Sequence, residues 1–309
     1  MPCLKKQHRE KSYTVEAATL FAHSLSTGLF MAFVSYPQGG SMTKAFRCYT
    51  RVLLMLFSFL FSALLQAAPP NSEIGVVVMH GKGGRPGRFV DELASAFERE
   101  GFQVANLEMP WSGRRHYDVD MNGGAEEITR ALDAMRAKGV RKVFVAGHSQ
   151  GGLFAAYYGG VASVDGLVLV APGGQVDADA FVSALGQSVV KAKQMVAEGR
   201  GNEKADFLDY EGSRGTNSIT TTAAIYLSWF DPNGAHTSRA YRNVKAGTPV
   251  LYVAPTRDYP GLQKGKRQNF EALPVSPQTR LYEPDSDHMN APAATASEAI
   301  LWIRQVSGK

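Results

Sequence analysis

A serine with the surroundings of a nucleophile lies near the middle of the sequence, in the stretch VFVAGHSQGG. Ser149 has Gly147 two positions before it and Gly151 two positions after it. An apolar, β-branched run precedes this pattern and a helical pattern follows it, which predicts a strand-to-helix turn. Such a turn exposes the hydroxyl at a helix N-terminus, where backbone N–H groups stabilise developing negative charge. The alternative is that Ser149 is only a turn residue.

A serine hydroxyl is a poor nucleophile until a base takes its proton, so the chemistry requires a histidine that is oriented by a carboxylate. Asp258 follows the apolar run PVLYVA, and His288 follows the next strand pattern. Because ligands bind at the carboxyl ends of parallel strands, both residues are predicted to lie at the sheet edge that carries Ser149. Two alternatives stay open. The acid could be Asp285 or Asp287 in place of Asp258, and His288 could be an ordinary surface histidine with no part in the chemistry.

Strand and helix patterns alternate through the chain and must position these side chains. Strand patterns occur at 74–80, 103–109, 142–146, 166–170, 249–254 and 279–283, and helical patterns at 86–100, 125–138, 151–158, 181–198 and 293–306. The alternation predicts an α/β fold with a mainly parallel sheet flanked by helices on both faces. Residues 173–247 are too long for a plain connection, so they are predicted to form an inserted helical cap.

Four stretches together resemble the α/β-hydrolase superfamily. They are HGKGG after the first strand, GHSQGG around the serine, TRD after PVLYVA, and DHM near the end. The resemblance covers nearly all of residues 72–306 and implies the α/β-hydrolase fold. By this likeness Ser149 is the nucleophile, Asp258 the acid and His288 the base.

The same resemblance implies an oxyanion hole, the pair of N–H donors that binds the negatively charged oxygen of an intermediate. The donors would be the backbone N–H groups of Gln150 and Lys82. The N–H of Gly83 is the alternative donor in place of that of Lys82. The alternative for Lys82 is a solvated loop lysine whose backbone has no role. His148 is expected to point away from its neighbour Ser149.

Two tryptophans are the predicted substrate contacts. Trp111 begins a loop, 111–117, at the active edge of the sheet, and this loop also carries cationic side chains. A solvated loop without a role in binding is the alternative. Trp229 belongs to an apolar patch of the predicted cap, together with Tyr226 and Phe230. The patch is predicted either to line an acyl pocket or only to pack the cap onto the sheet.

The expected function is that of an exported serine hydrolase acting on carboxylic esters or related acyl compounds through an acyl-enzyme. The partner is a small-molecule ester or acyl substrate, and the chemistry requires neither a metal nor an organic cofactor. A thioesterase or a peptidase would use the same groups. An inactive binding protein of the same fold is the alternative from another class.

The N-terminal part has the composition of a targeting segment. Residues 42–67 combine Lys44, Arg47 and Arg51 with a 14-residue apolar run, which predicts a signal peptide that is cleaved before a domain of 68–309. A membrane anchor is the alternative, and contact with a membrane is expected only if the leader is uncleaved. Residues 1–41 are expected to be an over-extended reading of the gene or a disordered N-terminus.

Charge and cysteine usage agree with export. Of the 33 Lys and Arg and 28 Asp and Glu, residues 1–67 hold seven and two, so the remaining chain has no net charge. A balanced domain gives no electrostatic reason to bind nucleic acid. Both cysteines, Cys3 and Cys48, precede the predicted cleavage site, and a mature chain without thiols suits a periplasmic or secreted protein.

Overall fold

The structure, a computed structural model, describes residues 72–309. The predicted N-terminus 1–41 and signal peptide 42–67 therefore lie outside the described residues. The strands are β1 (Ile74–Met79), β2 (Gln103–Leu107), β3 (Lys142–His148), β4 (Gly166–Val170), β5 (Lys204–Glu211), β6 (Gly215–Thr222), β7 (Val250–Val253) and β8 (Arg280–Tyr282). The helices are α1 (Asp91–Arg99), α2 (Met121–Ala137), α3 (Gln150–Val161), α4 (Asp179–Ala197), α5 (Ala223–Phe230), α6 (Arg239–Arg242), α7 (Pro260–Glu271) and α8 (Ala291–Val306).

Six of the strands form one sheet in the order β2-β1-β3-β4-β7-β8, and every neighbouring pair is parallel. Helices cover both faces, so the central strands are buried on each side and their sequences are continuously apolar. In β1, Val76 and Val78 belong to the core on the α1 and α8 side. Val77 and Met79 belong to the core on the α2 and α3 side. The predicted α/β-hydrolase fold class is confirmed.

The chain between β4 and β7 forms α4, the antiparallel hairpin β5–β6, α5 and α6. The sequence predicts a helical cap here, and the hairpin is an element that this prediction missed. In β5, buried Phe207 and Asp209 alternate with exposed Asp206 and Leu208. Because a buried position holds an aspartate, the alternation does not stand out as apolar and polar in the sequence.

The carboxyl ends of the strands form the edge that carries the predicted chemistry. β1 leads into His80 and Gly81, and β3 leads into Ser149. The loops after β7 and β8 run side by side, joined by a parallel bridge between Arg257 and Asp287. No helix in the described part of the chain has the length and apolarity needed to cross a bilayer.

Candidate active site

Ser149 lies on a strained turn between β3 and α3. Its backbone angles are φ 53° and ψ −119°, in a region that residues with side chains rarely adopt. Glycines make this turn possible, because a Cβ on Gly147 would lie 2.1 Å from the Gly151 oxygen. A Cβ on Gly151 would lie 2.7 Å from the His80 oxygen. The turn therefore has the geometry of a nucleophile elbow, with Ser149 half-buried at its apex.

His288 and Asp258 meet in the interior of the same edge. The Nδ1 of His288 lies 2.7 Å from Oδ1 of Asp258, and both side chains are buried. Because a carboxylate only accepts hydrogen bonds, Nδ1 carries a proton, and Nε2 is the nitrogen that can hold a lone pair when one proton is on the ring. The imidazole is therefore oriented with a basic nitrogen away from the carboxylate.

The two other aspartates considered as acids do not contact the His288 ring. Asp285 is exposed and pairs with Arg257, while Asp287 accepts hydrogen bonds from Asn290. The parallel bridge between the two loops explains the choice, because it brings the residue after Arg257 next to the residue after Asp287. The structure thus joins Asp258 to His288.

A cavity of about 440 Å³ opens at this edge and is lined by both Ser149 and His288. Among the described contacts, no hydrogen bond joins the Ser149 hydroxyl to the imidazole. Such bonds are often long before a substrate binds and tighten in the Michaelis complex. The apolar part of the lining includes Phe89, Phe181 and Leu262. The cavity therefore presents a hydroxyl and a basic nitrogen to an apolar ligand.

The loop after β1 runs directly against the serine. A Cβ on Gly81 would lie 3.1 Å from the Ser149 Cβ, so the absence of a side chain allows this approach. The Gly83 N–H donates to the Trp111 oxygen at 2.9 Å and is not free to bind an oxyanion. The assignment of Gly83 as the alternative oxyanion donor is therefore wrong. Lys82 and Gln150 line the cavity, and the N–H of Gln150 lies in the first turn of α3, where a helix leaves N–H groups unpaired.

Lys82 is not the solvated loop lysine that was the alternative to a role in the oxyanion hole. Its ammonium forms an ion pair with Asp209 of β5 and donates to the Tyr210 oxygen at 3.0 Å. The side chain is 11% exposed. The cap hairpin therefore holds this lysine of the β1 loop in the interior.

His80 shapes the same loop from inside. Its Nδ1 lies 2.7 Å from the Gly81 oxygen, and its Nε2 accepts from the Met109 N–H at 3.0 Å. Since Nε2 is an acceptor, Nδ1 carries the proton and donates to Gly81. Burial lowers the pKa of His80, which favours this neutral form.

The ring of His148 faces the cavity, contrary to the prediction that it points away from Ser149. Its ring lines the cavity and lies 4.8 Å, centroid to centroid, from the ring of His288. Its Nε2 donates to the His288 oxygen at 2.9 Å. Burial, and to a lesser extent the neighbouring imidazole of His288, lowers the pKa of His148 to about 3. His148 is therefore a neutral donor that holds the backbone of His288.

Comparisons with known proteins agree with this geometry. The family model Hydrolase_4, described as serine aminopeptidase, S33, matches residues 70–212. Est1E from Butyrivibrio proteoclasticus, solved with ferulic acid, is 14% identical over 79% of this chain and 93% of its own, with a TM-score of 0.54. A monoacylglycerol lipase from Paleococcus ferrophilus is 20% identical over 76% of this chain and 95% of its own, with a TM-score of 0.51. The chain has the α/β-hydrolase fold, and its residues 70–212 match a family model of serine hydrolases.

A third similar structure is a putative hydrolase from Agrobacterium vitis S4, 20% identical over 76% of this chain and 90% of its own, with a TM-score of 0.54. No curated protein sequence matches this chain significantly. Structural likeness at these identities establishes the fold, so the chemistry has to be argued from the site.

The two tryptophans that the sequence predicts as substrate contacts do not line the cavity. Trp111 and Trp229 are each 1% exposed, and their rings pack edge to face at 5.7 Å. Their indole N–H groups donate to the oxygens of His80 and Val119. Their assignment as substrate contacts is wrong, because the cap uses its aromatic patch to pack onto the sheet. The cations Arg114 and Arg115 of the neighbouring loop are engaged in ion pairs with Glu108 and Glu127.

Other residues of the site carry no motif in the sequence. The Tyr259 ring lies 4.5 Å from the His288 ring at the cavity wall, and only its place after Asp258 could have indicated it. Asp209 and Tyr117 contact the residues of the expected oxyanion hole from segments without a recognisable pattern.

Proposed function

We propose that this α/β-hydrolase is a serine hydrolase that cleaves small carboxylic esters through an acyl-enzyme. Ser149 is the nucleophile, His288 the general base and acid, and Asp258 the carboxylate that orients His288. The backbone N–H groups of Gln150 and Lys82 bind the oxyanion. One observation carries the proposal. The 2.7 Å pair of His288 and Asp258 lies at the cavity into which a strained elbow presents Ser149.

In the first half of the reaction, Nε2 of His288 takes the Ser149 proton as Oγ attacks the ester carbonyl. The carbonyl oxygen becomes an oxyanion that accepts hydrogen bonds from the two N–H groups, which are fixed before the reaction. The protonated imidazole then donates Nε2–H to the leaving alkoxide, and an acyl-serine remains. In the second half, His288 deprotonates a water that attacks the acyl carbonyl, and the imidazolium then returns the proton to Ser149 Oγ as the bond to the acid breaks. Asp258 stabilises the imidazolium in both halves.

The lining of the cavity supports a small ester with an apolar acyl group. A volume of about 440 Å³ falls in the range of about 300–1,000 Å³ that small-molecule sites occupy. The similar structure from Paleococcus ferrophilus is named a monoacylglycerol lipase, which agrees with ester cleavage. Phe89, Phe181 and Leu262 would contact the apolar group.

The family model is described as an aminopeptidase, so peptide cleavage is the second candidate. An aminopeptidase has to bind a positively charged amino terminus. Of the described residues that line the cavity, Glu211 is the one acidic residue, and it pairs with Arg214 at 3.6 Å. Arg88 adds positive charge to the lining, whereas Lys82 is neutralised by its ion pair with Asp209, so the charges favour a neutral ester over an ammonium substrate.

The test uses a fluorophosphonate probe and a series of p-nitrophenyl esters of graded acyl length. The wild-type protein is expected to be labelled and to hydrolyse the esters, and Ser149→Ala to lose both activities. Ser218→Ala, which changes an exposed serine of β6, serves as the matched control and is expected to behave as wild type.

Three results would change the assignment. A folded wild-type protein that is neither labelled nor active would favour a binding protein of the same fold. Labelling that persists in Ser149→Ala would place the nucleophile elsewhere. Faster cleavage of an amino acid p-nitroanilide or a thioester than of any ester would assign the same residues to amide or thioester chemistry.

Export to the periplasm or the medium stays a prediction from residues 42–67, which lie outside the described residues. N-terminal sequencing of the mature protein would detect cleavage near residue 67. Release of the protein without detergent would exclude a membrane tether, and the mass of the precursor would show whether translation begins at Met42.

A further inference from the structure

A buried ion pair links the cap hairpin to the loop that follows β1. The Lys82 ammonium pairs with the Asp209 carboxylate, and Asp209 is 3% exposed. The two residues lie on segments 127 positions apart in the sequence. A buried charge is costly without a partner, so each side chain holds the other in place.

The same carboxylate also reaches the residue that follows the nucleophile. The Tyr117 hydroxyl lies 3.3 Å from Oδ2 of Asp209 and 3.3 Å from Nε2 of Gln150. Because the carboxylate accepts, the hydroxyl donates to Asp209 and accepts from Gln150. Asp209 is therefore connected to Lys82 directly and to Gln150 through one hydroxyl.

The hairpin also holds the backbone of Tyr117. Tyr117 has a φ of 56°, a conformation that side chains rarely adopt and that persists only where neighbouring contacts impose it. The Thr221 hydroxyl of β6 donates to the Tyr117 oxygen at 2.8 Å, and the Tyr117 N–H donates to the Pro110 oxygen at 2.7 Å. Both strands of the hairpin thus contribute to the position of this hydroxyl.

We infer that Asp209 is a positioning residue through which the cap hairpin sets the geometry of the oxyanion hole. This inference rests on the proposed function, in which Lys82 and Gln150 supply the two N–H donors. Such donors have to lie about 2.7–3.1 Å from the developing oxyanion, and a displacement of about 1 Å costs about 100-fold in rate. Without the Asp209 charge, the Lys82 ammonium loses its anionic partner and keeps its hydrogen bond to the Tyr210 oxygen, so the β1 loop is held less firmly. The cap is then part of the catalytic geometry as well as a cover for the cavity.

The test compares Asp209→Asn, Tyr117→Phe and a matched control on the same strand. Asp206→Asn is the control, because Asp206 is exposed and accepts from Thr220 on the same hairpin. Asp209→Asn is expected to lower kcat for a p-nitrophenyl ester by about 10- to 100-fold, and Tyr117→Phe by a smaller factor. KM is expected to change little, because the apolar contacts of the acyl group are untouched.

A second readout separates positioning from general loss of packing. A trifluoromethyl ketone forms a tetrahedral oxyanion adduct with the serine, whereas the corresponding alcohol occupies the cavity without forming one. Asp209→Asn is expected to lose affinity for the ketone by about the same factor as kcat while it keeps its affinity for the alcohol. If Asp209 had only a structural role, the substitution would lower the affinities for both compounds equally or would change neither.

The inference is overturned if Asp209→Asn is folded and keeps its kcat and its ketone-to-alcohol affinity ratio within about twofold of the Asp206→Asn control. If Asp209→Asn does not fold, Tyr117→Phe decides the question by the same two measurements, since it removes a single hydroxyl. These failures are distinct from failure of the proposed function, in which the wild-type protein itself shows no ester hydrolysis and no labelling.

Discussion

The neutral ring of His148 donates its Nε2–H to the backbone oxygen of His288 at 2.9 Å. The residue just before the nucleophile therefore holds the backbone of the proposed base, although the two lie 140 positions apart. Loops at strand ends are mobile unless such contacts restrain them. This contact joins the elbow to the loop after β8, and the pair of Asp258 with His288 joins that loop to the one after β7.

Asp258→Asn is expected to lower kcat for ester hydrolysis by about 10⁴-fold while the protein stays folded. An asparagine keeps the shape of the side chain but offers an N–H, which favours the imidazole tautomer with the proton on the wrong nitrogen. Steady-state kinetics with a p-nitrophenyl ester measures the loss. Asp285→Asn is the control, because Asp285 is exposed and pairs with Arg257. An equal loss in the control would contradict the assignment of the acid.

Gly81→Ala is expected to reduce kcat by about 10- to 100-fold. The added Cβ would lie 3.1 Å from the Ser149 Cβ and 3.2 Å from Nδ1 of His148, so the loop or the serine has to move. Gly186→Ala is the control, since a Cβ on this helical glycine meets no atom within 4 Å. Both variants are assayed with the same ester. Wild-type kcat in Gly81→Ala would show that the loop after β1 does not approach the reacting atoms.

The buried histidines are expected to make the fold sensitive to acid. Burial, together with the nearby positive charge of Lys82, lowers the pKa of His236 to about 3. The unfolded chain has a histidine pKa near 6.5, so it takes up the proton first as the pH falls. The stabilisation is complete above about pH 6.5 and is lost progressively towards pH 3, by about 1.4 kcal/mol per pH unit for each such histidine.

Urea unfolding between about pH 6 and pH 4 measures this dependence, and His236→Asn is the informative variant. The free energy of unfolding of His236→Asn is expected to fall less steeply with acid, by about 1.4 kcal/mol per pH unit, because one proton-binding group is removed. An unchanged slope would mean that His236 is protonated in the folded protein. The assay needs no activity, so its outcome is independent of the proposed reaction.

Trp229→Ala is expected to lower the free energy of unfolding by about 3–5 kcal/mol, because the ring is part of the core between the cap and the sheet. Leu301→Ala is the control, since Leu301 is 59% exposed on α8 and its loss is expected to cost less than about 0.5 kcal/mol. Thermal unfolding followed by circular dichroism compares the two. A small loss in Trp229→Ala would return this tryptophan to the candidates for substrate contact.

The sequence could predict the elements whose residues are buried on a regular period. The strands of the sheet are apolar runs because both faces are covered, and the elbow at Ser149 has a local pattern of glycines. Two elements lack such a signal. Helix α7 has no buried residue and so shows no apolar stripe, and the hairpin buries the polar Asp209 at a position where an apolar residue would have marked the alternation.

The sequence by itself determined the strand-to-helix turn at Ser149 and the positions of Ser149, Asp258 and His288 after strands of a parallel sheet, because local periodicity and turn chemistry suffice for these. Only the tertiary structure decided that Asp258 and not Asp285 contacts His288, that His148 faces the cavity, and that Trp111 and Trp229 are core residues. It also decided that Lys82 is buried against Asp209. Each of these facts depends on contacts between residues distant in the chain, and the spacing of residue types along a sequence does not specify which loops run side by side.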